Sequence, residues 1–502
     1  MTARKAFLLA LLLLAPLALP ATPAADFDYG SSVVSVEVTY QTWDEDRPWM
    51  KSEPRSRTAS AVPLDDHRLL TTAQIVADST LIQVAKHGSS SKTPARVLHI
   101  DLDANLALLT VDARGFFDDL VPVELAATIP TEGNLASVRW RRRQLEVSSS
   151  RVSRLQVQEV YYGNLAHVFL FLRTDLSGGG WAEPVFDGDE LVGLSISQND
   201  QVMRAIPATV IRQYLDAVEA PGPYAGLPTL WLVWQTNRDP ALASFLGLEG
   251  PPRGVVVRAV PWGSCAFGVL RERDILLEVD GHPIDPDGYY QHLAYGRLSF
   301  TDIAIDGHRT GDRIPLKVLR EGREVEVELT LHPYPVRMQL VPWQRKNQAP
   351  PFLIAGGLLF RELDGPYLRS WGKNWERKAP TNLVARWKRD RHGQSPERRR
   401  VVLLTAVIPD AINVGYHDLR DLEVARVNGR PVDSIDALAE ALAHPEGGFQ
   451  VIEFEPNMTR AEIVLDAAGF EAATARILQA FNIPLGGRQD PPFDLPYGAA
   501  QP

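Results

Sequence analysis

A hydroxyl and several carboxylates of the kinds used in covalent chemistry at neutral pH fall together in residues 176–194, LSGGGWAEPVFDGDELVGL. Ser177-Gly178-Gly179 offers a hydroxyl in a glycine-rich turn whose backbone N–H groups can face a developing oxyanion. Such a hydroxyl needs a general base within hydrogen-bond reach and a third group that orients the base. The histidines of this part of the chain are His67, His87, His99 and His167, and Asp101 and Asp103 are nearby acids. Nothing in their spacing sets a histidine beside Ser177, and Asp66-His67 reads as an exposed turn between strands. Trp181, three residues before Pro184, carries neither a nucleophile nor a useful pKa. Cys265 is the only cysteine, so no internal disulfide or thiolate metal cluster can form, and its neighbours mark it as a buried small residue. No cofactor or metal is implied.

The elements that must position these residues are short strands. VVSVEV at 33–38 alternates, and LIQV at 81–84, LALL at 106–109, VFLF at 168–171 and LVGL at 191–194 are apolar runs of strand length. Turn signals between them favour a sandwich or barrel. Residues 206–215, IPATVIRQYL, place a proline at a helix start and apolar residues at helical spacing. A mainly β first domain over 26–218, a double β-barrel closing on that helix, is the expected arrangement. APGP at 220–223 has the composition of a domain boundary.

Beyond it, LWLVW at 230–234 reads as a strand, followed by GVVVRAV at 254–260 and LRERDILLEVDG at 270–281. The segment closes on the hairpin signals KVLREG at 317–322 and EVEVEL at 324–329. The pattern then repeats. VVLLTAVIP at 401–409 aligns with 255–261, and LRDLEVARVNGRPV at 419–432 aligns with 271–284. The polar linker QRKNQAPP at 344–351 precedes this second copy. Helices are expected over 436–443 and 471–481, and a strand over 450–454.

Three stations of the first domain resemble trypsin-like serine proteases of the HtrA/Deg family. Residues 179–186 stand where that family reads GNSGGPVF, residues 69–76 (LLTTAQIV) where it reads VLTNAHVV, and residues 105–109 (NLALL) where it reads DLALL. The resemblance puts Trp181 at the nucleophile, Gln74 at the general base and Asn105 at the orienting acid. Glutamine cannot take a proton near neutral pH, and asparagine cannot stabilise an imidazolium as a carboxylate does. Each loss costs orders of magnitude in rate, so the resemblance implies a catalytically degenerate member. The alternative is a serine endopeptidase whose nucleophile has moved to Ser177. With the nucleophile gone, Trp181 is expected to fill the vacated cleft; the alternative is an aromatic platform for a peptide lying in it.

The two later segments, over 221–335 and 350–484, resemble PDZ domains, partly open α+β barrels, in the order of the plant-type Deg branch. A PDZ groove adds an extended peptide to a sheet edge and holds its terminal carboxylate on the amides of a turn. By that resemblance the turns are Tyr224, Ala225, Gly226 and Leu227 in the first copy and Ile354, Ala355, Gly356 and Gly357 in the second. The implied partners are peptides or protein C-termini, together with a homo-oligomer (a trimer by family habit) or an assembly with an active homologue.

Arg4 and Lys5 precede an apolar run over 6–19 and small residues at 22–24, the signature of a cleaved leader over 1–24. Pro16 and Pro20 interrupt the run, which is too short for a stable membrane span. The expected destination is therefore export, to the periplasm or outside the cell. A net charge of −10, or −12 once Arg4 and Lys5 leave with the leader, argues against nucleic acid. Arg141-Arg142-Arg143 and Arg398-Arg399-Arg400 read as solvated faces, and the tail 485–502 as disordered.

Overall fold

Buried valines at 34, 36 and 38 alternate with half-buried neighbours along the strand Val34–Tyr40, so one face of this strand lines a core. Five more strands complete a closed barrel: Arg55–Leu64, Arg68–Thr71, Leu106–Thr110, Thr93–Asp101 and Ser79–Ala85. The computed structural model describes residues 27–141, 144–161, 163–456 and 462–484. The leader and the tail expected from the sequence lie outside them.

A second sheet orders Pro184–Asp187, Asn134–Arg141, Gln144–Glu159, Ala166–Thr174, Val202–Pro207 and Glu190–Asn199. Pairing of Pro184–Asp187 with Glu190–Asn199 closes this ring as well. The two barrels are followed by the helix Ala208–Glu219, whose Val210, Ile211 and Tyr214 are buried against the second barrel.

The third unit is a sheet in the order Val233–Thr236, Val255–Ala259, Ile275–Val279, Arg313–Arg320, Arg323–Thr330. The expected strand over 230–234 is shorter and later than the sequence implies. Leu230, Trp231 and Leu232 are all buried, with Leu230 and Leu232 in one core and Trp231 in another, so both faces of this stretch are covered and its apolar run does not mark where sheet pairing begins. Between the third and fourth strands a hairpin, Tyr289–His292 with Gly296–Ser299, leans onto the second barrel, where Tyr295 Oη accepts from the Ile129 amide at 3.1 Å.

The fourth unit repeats the plan with Phe352–Ala355, Leu358–Glu362, Val402–Val407, Leu422–Val427, Phe449–Phe454 and Glu462–Asp466 in sheet order. Helices Ile435–Leu442 and Phe470–Ala480 form within a residue of their expected bounds. Three further helices, Gly365–Arg369, Trp375–Lys378 and Thr381–Asp390, are inserted after its second strand. The fold is thus mainly β throughout: a trypsin-like double barrel followed by two PDZ-type sheets.

Arg398-Arg399-Arg400 is not a solvated face. Arg398 meets Glu423, Arg399 meets Asp433, and Arg400 is buried with Glu362 at 3.3 Å. These arginines lie between strands of the fourth unit, where opposite charges that are distant in sequence come together.

Candidate functional site

Gln74 follows the end of a barrel strand and Asn105 opens another, with both facing the seam between the two barrels. Asn105 adopts φ +57°, a left-handed backbone that asparagine tolerates better than most residues. Its Oδ1 accepts from the Gln74 amide at 2.8 Å, and its Nδ2 donates to Gln74 Oε1 at 3.3 Å. Gln74 Nε2 in turn donates to the carbonyls of Gly180 at 3.1 Å and Ile196 at 3.0 Å. The structure therefore brings Gln74 and Asn105 together as the family pattern implies. What they make is a pair of primary amides that ties one barrel to the other.

Residues 177–183 form the glycine-rich turn. Gly178 and Gly180 take φ +72° and +103°, and a side chain at Gly180 would collide with the backbone of Ser197. Two side chains occupy the amides of this turn. Glu183 Oε2 accepts from the Gly180 amide at 2.7 Å and the Trp181 amide at 2.8 Å, and also bonds the buried Ser195 hydroxyl. Gln198 Oε1 accepts from the Gly179 amide at 2.7 Å. Counted back from Pro184, Gly179 and Trp181 carry the N–H groups that the family pattern aims at an oxyanion, and both are already bonded inside the chain.

Trp181 does not fill the cleft. Its side chain is 46% exposed, because the Trp181 carbonyl accepts from the Ser60 amide and its amide is bound to Glu183, which together turn the indole outward. Ser177 is exposed, and its carbonyl accepts from Arg139 Nη1 at 2.6 Å. Among the described residues no histidine bonds to it. His67 stacks on Phe117, His87 lies 5.3 Å from the Trp140 ring, and His99 Nδ1 shares a 2.8 Å hydrogen bond with Tyr214. His167 is buried against the Val168 carbonyl, and burial pushes its pKa down to about 4, which keeps it neutral. Neither Asp101 nor Asp103 approaches Ser177. Asp101 accepts from the Ala104 amide and the Tyr224 hydroxyl, while burial and the neighbouring Asp101 charge push Asp103 up to about 7.

Glu183 and Gln198 are the site residues that the sequence reading missed. The signal for Glu183 was present: it stands where the family string has the second glycine after the serine. Gln198 gave none, since it reaches the turn from 19 positions away.

The turns assigned to peptide binding lie as follows. Tyr224 stacks edge-on against His99, Leu227 is buried in the second barrel's core, and the Gly226 carbonyl accepts from Thr310 Oγ1. Ala225, Gly226 and Leu227 border a cavity of about 290 Å³ beside the end of the helix Ala208–Glu219. The edge strand itself starts only at Val233. Beside it a larger cavity, about 830 Å³, is lined by Trp231, Val233, Trp234, Trp262, Phe267 and the segment 388–397. In the second copy Ile354 and Ala355 end a strand, and Gly356-Gly357 is the turn of a hairpin. The Gly356 amide donates to Thr474 Oγ1 at 2.7 Å, its carbonyl accepts from Asn413 Nδ2, and Phe470 lies over it. Helix Phe470–Ala480 thus covers this turn. Cys265 is buried and its thiol is pushed up to about 11, so it is no nucleophile.

Comparison with known proteins bears on the whole chain. Protease Do-like 2, chloroplastic, from Arabidopsis thaliana is 27% identical over 472 residues, covering 91% of this chain and 75% of the relative. The chain belongs to the HtrA/Deg-like protease family. Within that family it is also similar to Protease Do-like 4, mitochondrial, from Arabidopsis thaliana, 26% identical over 465 residues and covering 92% and 85% of the two chains. The profile described as "PDZ domain" matches residues 341–487. Among solved structures, that of HtrA-type protease AlgW with decapeptide shares 19% identity with a TM-score of 0.45, covering 61% of this chain and 96% of the other.

Proposed function

We propose that this HtrA/Deg-like chain is non-catalytic and binds extended peptide segments or exposed chain termini through its PDZ units, as a scaffold, chaperone or regulator. The observation that carries the reading is the state of the glycine-rich turn. Its oxyanion-facing amides are held by Glu183 and Gln198, while Gln74, Asn105 and Trp181 occupy the three catalytic stations. A substrate carbonyl entering this turn meets a carboxylate where it needs donors, and no base stands beside Ser177. A serine endopeptidase acting from Ser177 is the competing reading, and no contact in the structure favours it.

For peptide capture the first PDZ unit is the better placed. Its edge strand, Val233–Thr236, ends a sheet and borders the 830 Å³ cavity with its aromatic walls, an arrangement suited to strand addition. The second unit, whose turn is covered by its own helix, is assigned to assembly. Self-association is proposed on the face where Phe27, Tyr29 and Phe186 stack around an open groove. The relatives named chloroplastic and mitochondrial support an organelle as the site of action, in place of the periplasmic or extracellular destination inferred from the leader.

The test is cleavage of unfolded casein by the purified protein, wild type beside Ser177→Ala. No cleavage by either folded protein is the expected result. Activity in wild type that disappears in Ser177→Ala would overturn the proposal and establish the relocated nucleophile.

A further inference from the structure

A groove of about 320 Å³ opens beside the vacated nucleophile position, bordered by Ser60, Arg139, Arg141, Ser177, Gly178 and Trp181. Three features distinguish it from ordinary surface. The Trp181 indole stands half-exposed on its wall. The Gly178 amide makes no hydrogen bond among the described residues, and its left-handed backbone leaves the space in front of it open. Two guanidiniums, those of Arg139 and Arg141, also border the groove. Arg139 and Arg141 share a single carboxylate, Glu146, at 2.7 and 3.8 Å. Glu183 borders the groove too, but its carboxylate is turned onto the Gly180 and Trp181 amides and the Ser195 hydroxyl. Arg141, the described member of the run Arg141-Arg142-Arg143, stands half-exposed on the rim of this groove in a protein whose net charge is −10.

From this geometry we infer that the vacated cleft is a docking site for an acidic peptide segment carrying an aromatic or aliphatic anchor. The anchor lies on the Trp181 face, a backbone carbonyl accepts from the Gly178 amide, and a carboxylate of the segment meets the Arg141 guanidinium. Tryptophan and arginine are the residues on which interface energy concentrates. Charge complementarity selects acidic over basic partners and makes association salt-dependent. The site rests on the non-catalytic reading above, since a cleft that cleaved its ligand would not retain it.

The test uses the full-length protein and a fluorescein-labelled decapeptide that alternates aspartate with phenylalanine and leucine, beside the same peptide with lysine for aspartate. Fluorescence anisotropy is expected to show binding of the acidic peptide only, weakening as salt rises from 50 to 500 mM. Trp181→Ala is expected to lower affinity at least ten-fold and Arg141→Glu three- to ten-fold, with circular dichroism unchanged for both. Equal binding of the two peptides, or no loss in either variant, would overturn the inference. If Trp181→Ala instead abolishes self-association in sedimentation while peptide affinity is unchanged, the groove belongs to a second copy and the inference fails. Mass spectrometry of the recovered peptide separates the two readings: a cut peptide overturns the non-catalytic assignment, whereas an intact, unbound one overturns only the docking site.

Discussion

Glu183 is the residue on which the state of the cleft turns. Its carboxylate bonds two consecutive backbone amides and a buried hydroxyl, so three donors share one acceptor group that has almost no solvent around it. Restoring the three catalytic side chains alone should therefore fail. Gln74→His, Asn105→Asp and Trp181→Ser together supply a base, its orienter and a hydroxyl, but the Trp181-position amide remains bonded to Glu183. Casein cleavage by this triple variant is expected to stay at background. Adding Glu183→Gly frees the amide at position 181, while Gln198 still holds that of Gly179, and is expected to raise the rate by about 10²–10³, the size of a single oxyanion donor's contribution. A triple variant as active as the quadruple one would show that Glu183 does not block the turn. Gln74, Asn105 and Trp181 were legible in the sequence because each sits in a recognisable string. That Trp181 points outward was not, because its direction follows from bonds to Ser60 and Glu183 rather than from its own neighbours.

At the scale of elements, the junction between the second barrel and the first PDZ unit is made by a buried acid. Asp302, in the short helix Phe300–Asp302, accepts from the Val168 amide of a barrel strand at 2.7 Å. Burial, with a smaller contribution from Asp306, pushes its pKa up to about 7. Around it stand the Tyr290 hydroxyl, which has no partner among the described residues, and His292, bonded to Asp306 at 3.0 Å. The unfolded chain releases this proton near pH 4 and the folded chain near 7. Between these values the native state binds the extra proton, so stability falls as pH rises, and above 7 the loss is complete. The gap corresponds to at most about 4 kcal/mol. Asp302→Asn keeps the acceptor for Val168 and removes the titration. Its melting temperature is expected to exceed that of wild type by several degrees at pH 8 and to match it at pH 4. Equal melting temperatures at both values would mean that Asp302 ionises at no cost. The alternating strands and amphipathic helices around this junction were readable from periodicity. The start of the edge strand was not, because Leu230 and Leu232 enter one core and Trp231 another, so a continuous apolar run covers residues that precede the strand.

At the scale of the whole molecule, ion pairs between residues far apart in sequence join the first barrel to the second PDZ unit. Arg361, fully buried at the start of the second PDZ sheet, donates to the Glu45 carbonyl at 2.5 Å, to Glu45 Oε2 at 2.8 Å and to Asp364 at 3.4 Å. Arg345 joins the same group through Glu45 and Asp364, and burial holds its pKa down at about 10. Lys346 and Asn347 extend the contact to Asp78. The linker that read as polar spacer is thus pinned to the first barrel, and the pairing was invisible in sequence because its partners lie 300 positions apart. Two arginines and two carboxylates balance in charge, so the network is tolerable as a unit and costly to break. Arg361→Ala leaves Glu45 and Asp364 with one guanidinium between them in a dry interface, and removing one partner of such a set costs roughly 3–5 kcal/mol. Urea denaturation followed by tryptophan fluorescence is the measurement. The fluorescence change is expected to divide into two steps in the variant, the earlier one reporting Trp343, Trp375 and Trp387, which pack together beside this interface. A single transition displaced by less than about 1 kcal/mol would mean that the second PDZ unit docks through its apolar contacts, such as Trp49 on Phe352, and that the ion network only orients it.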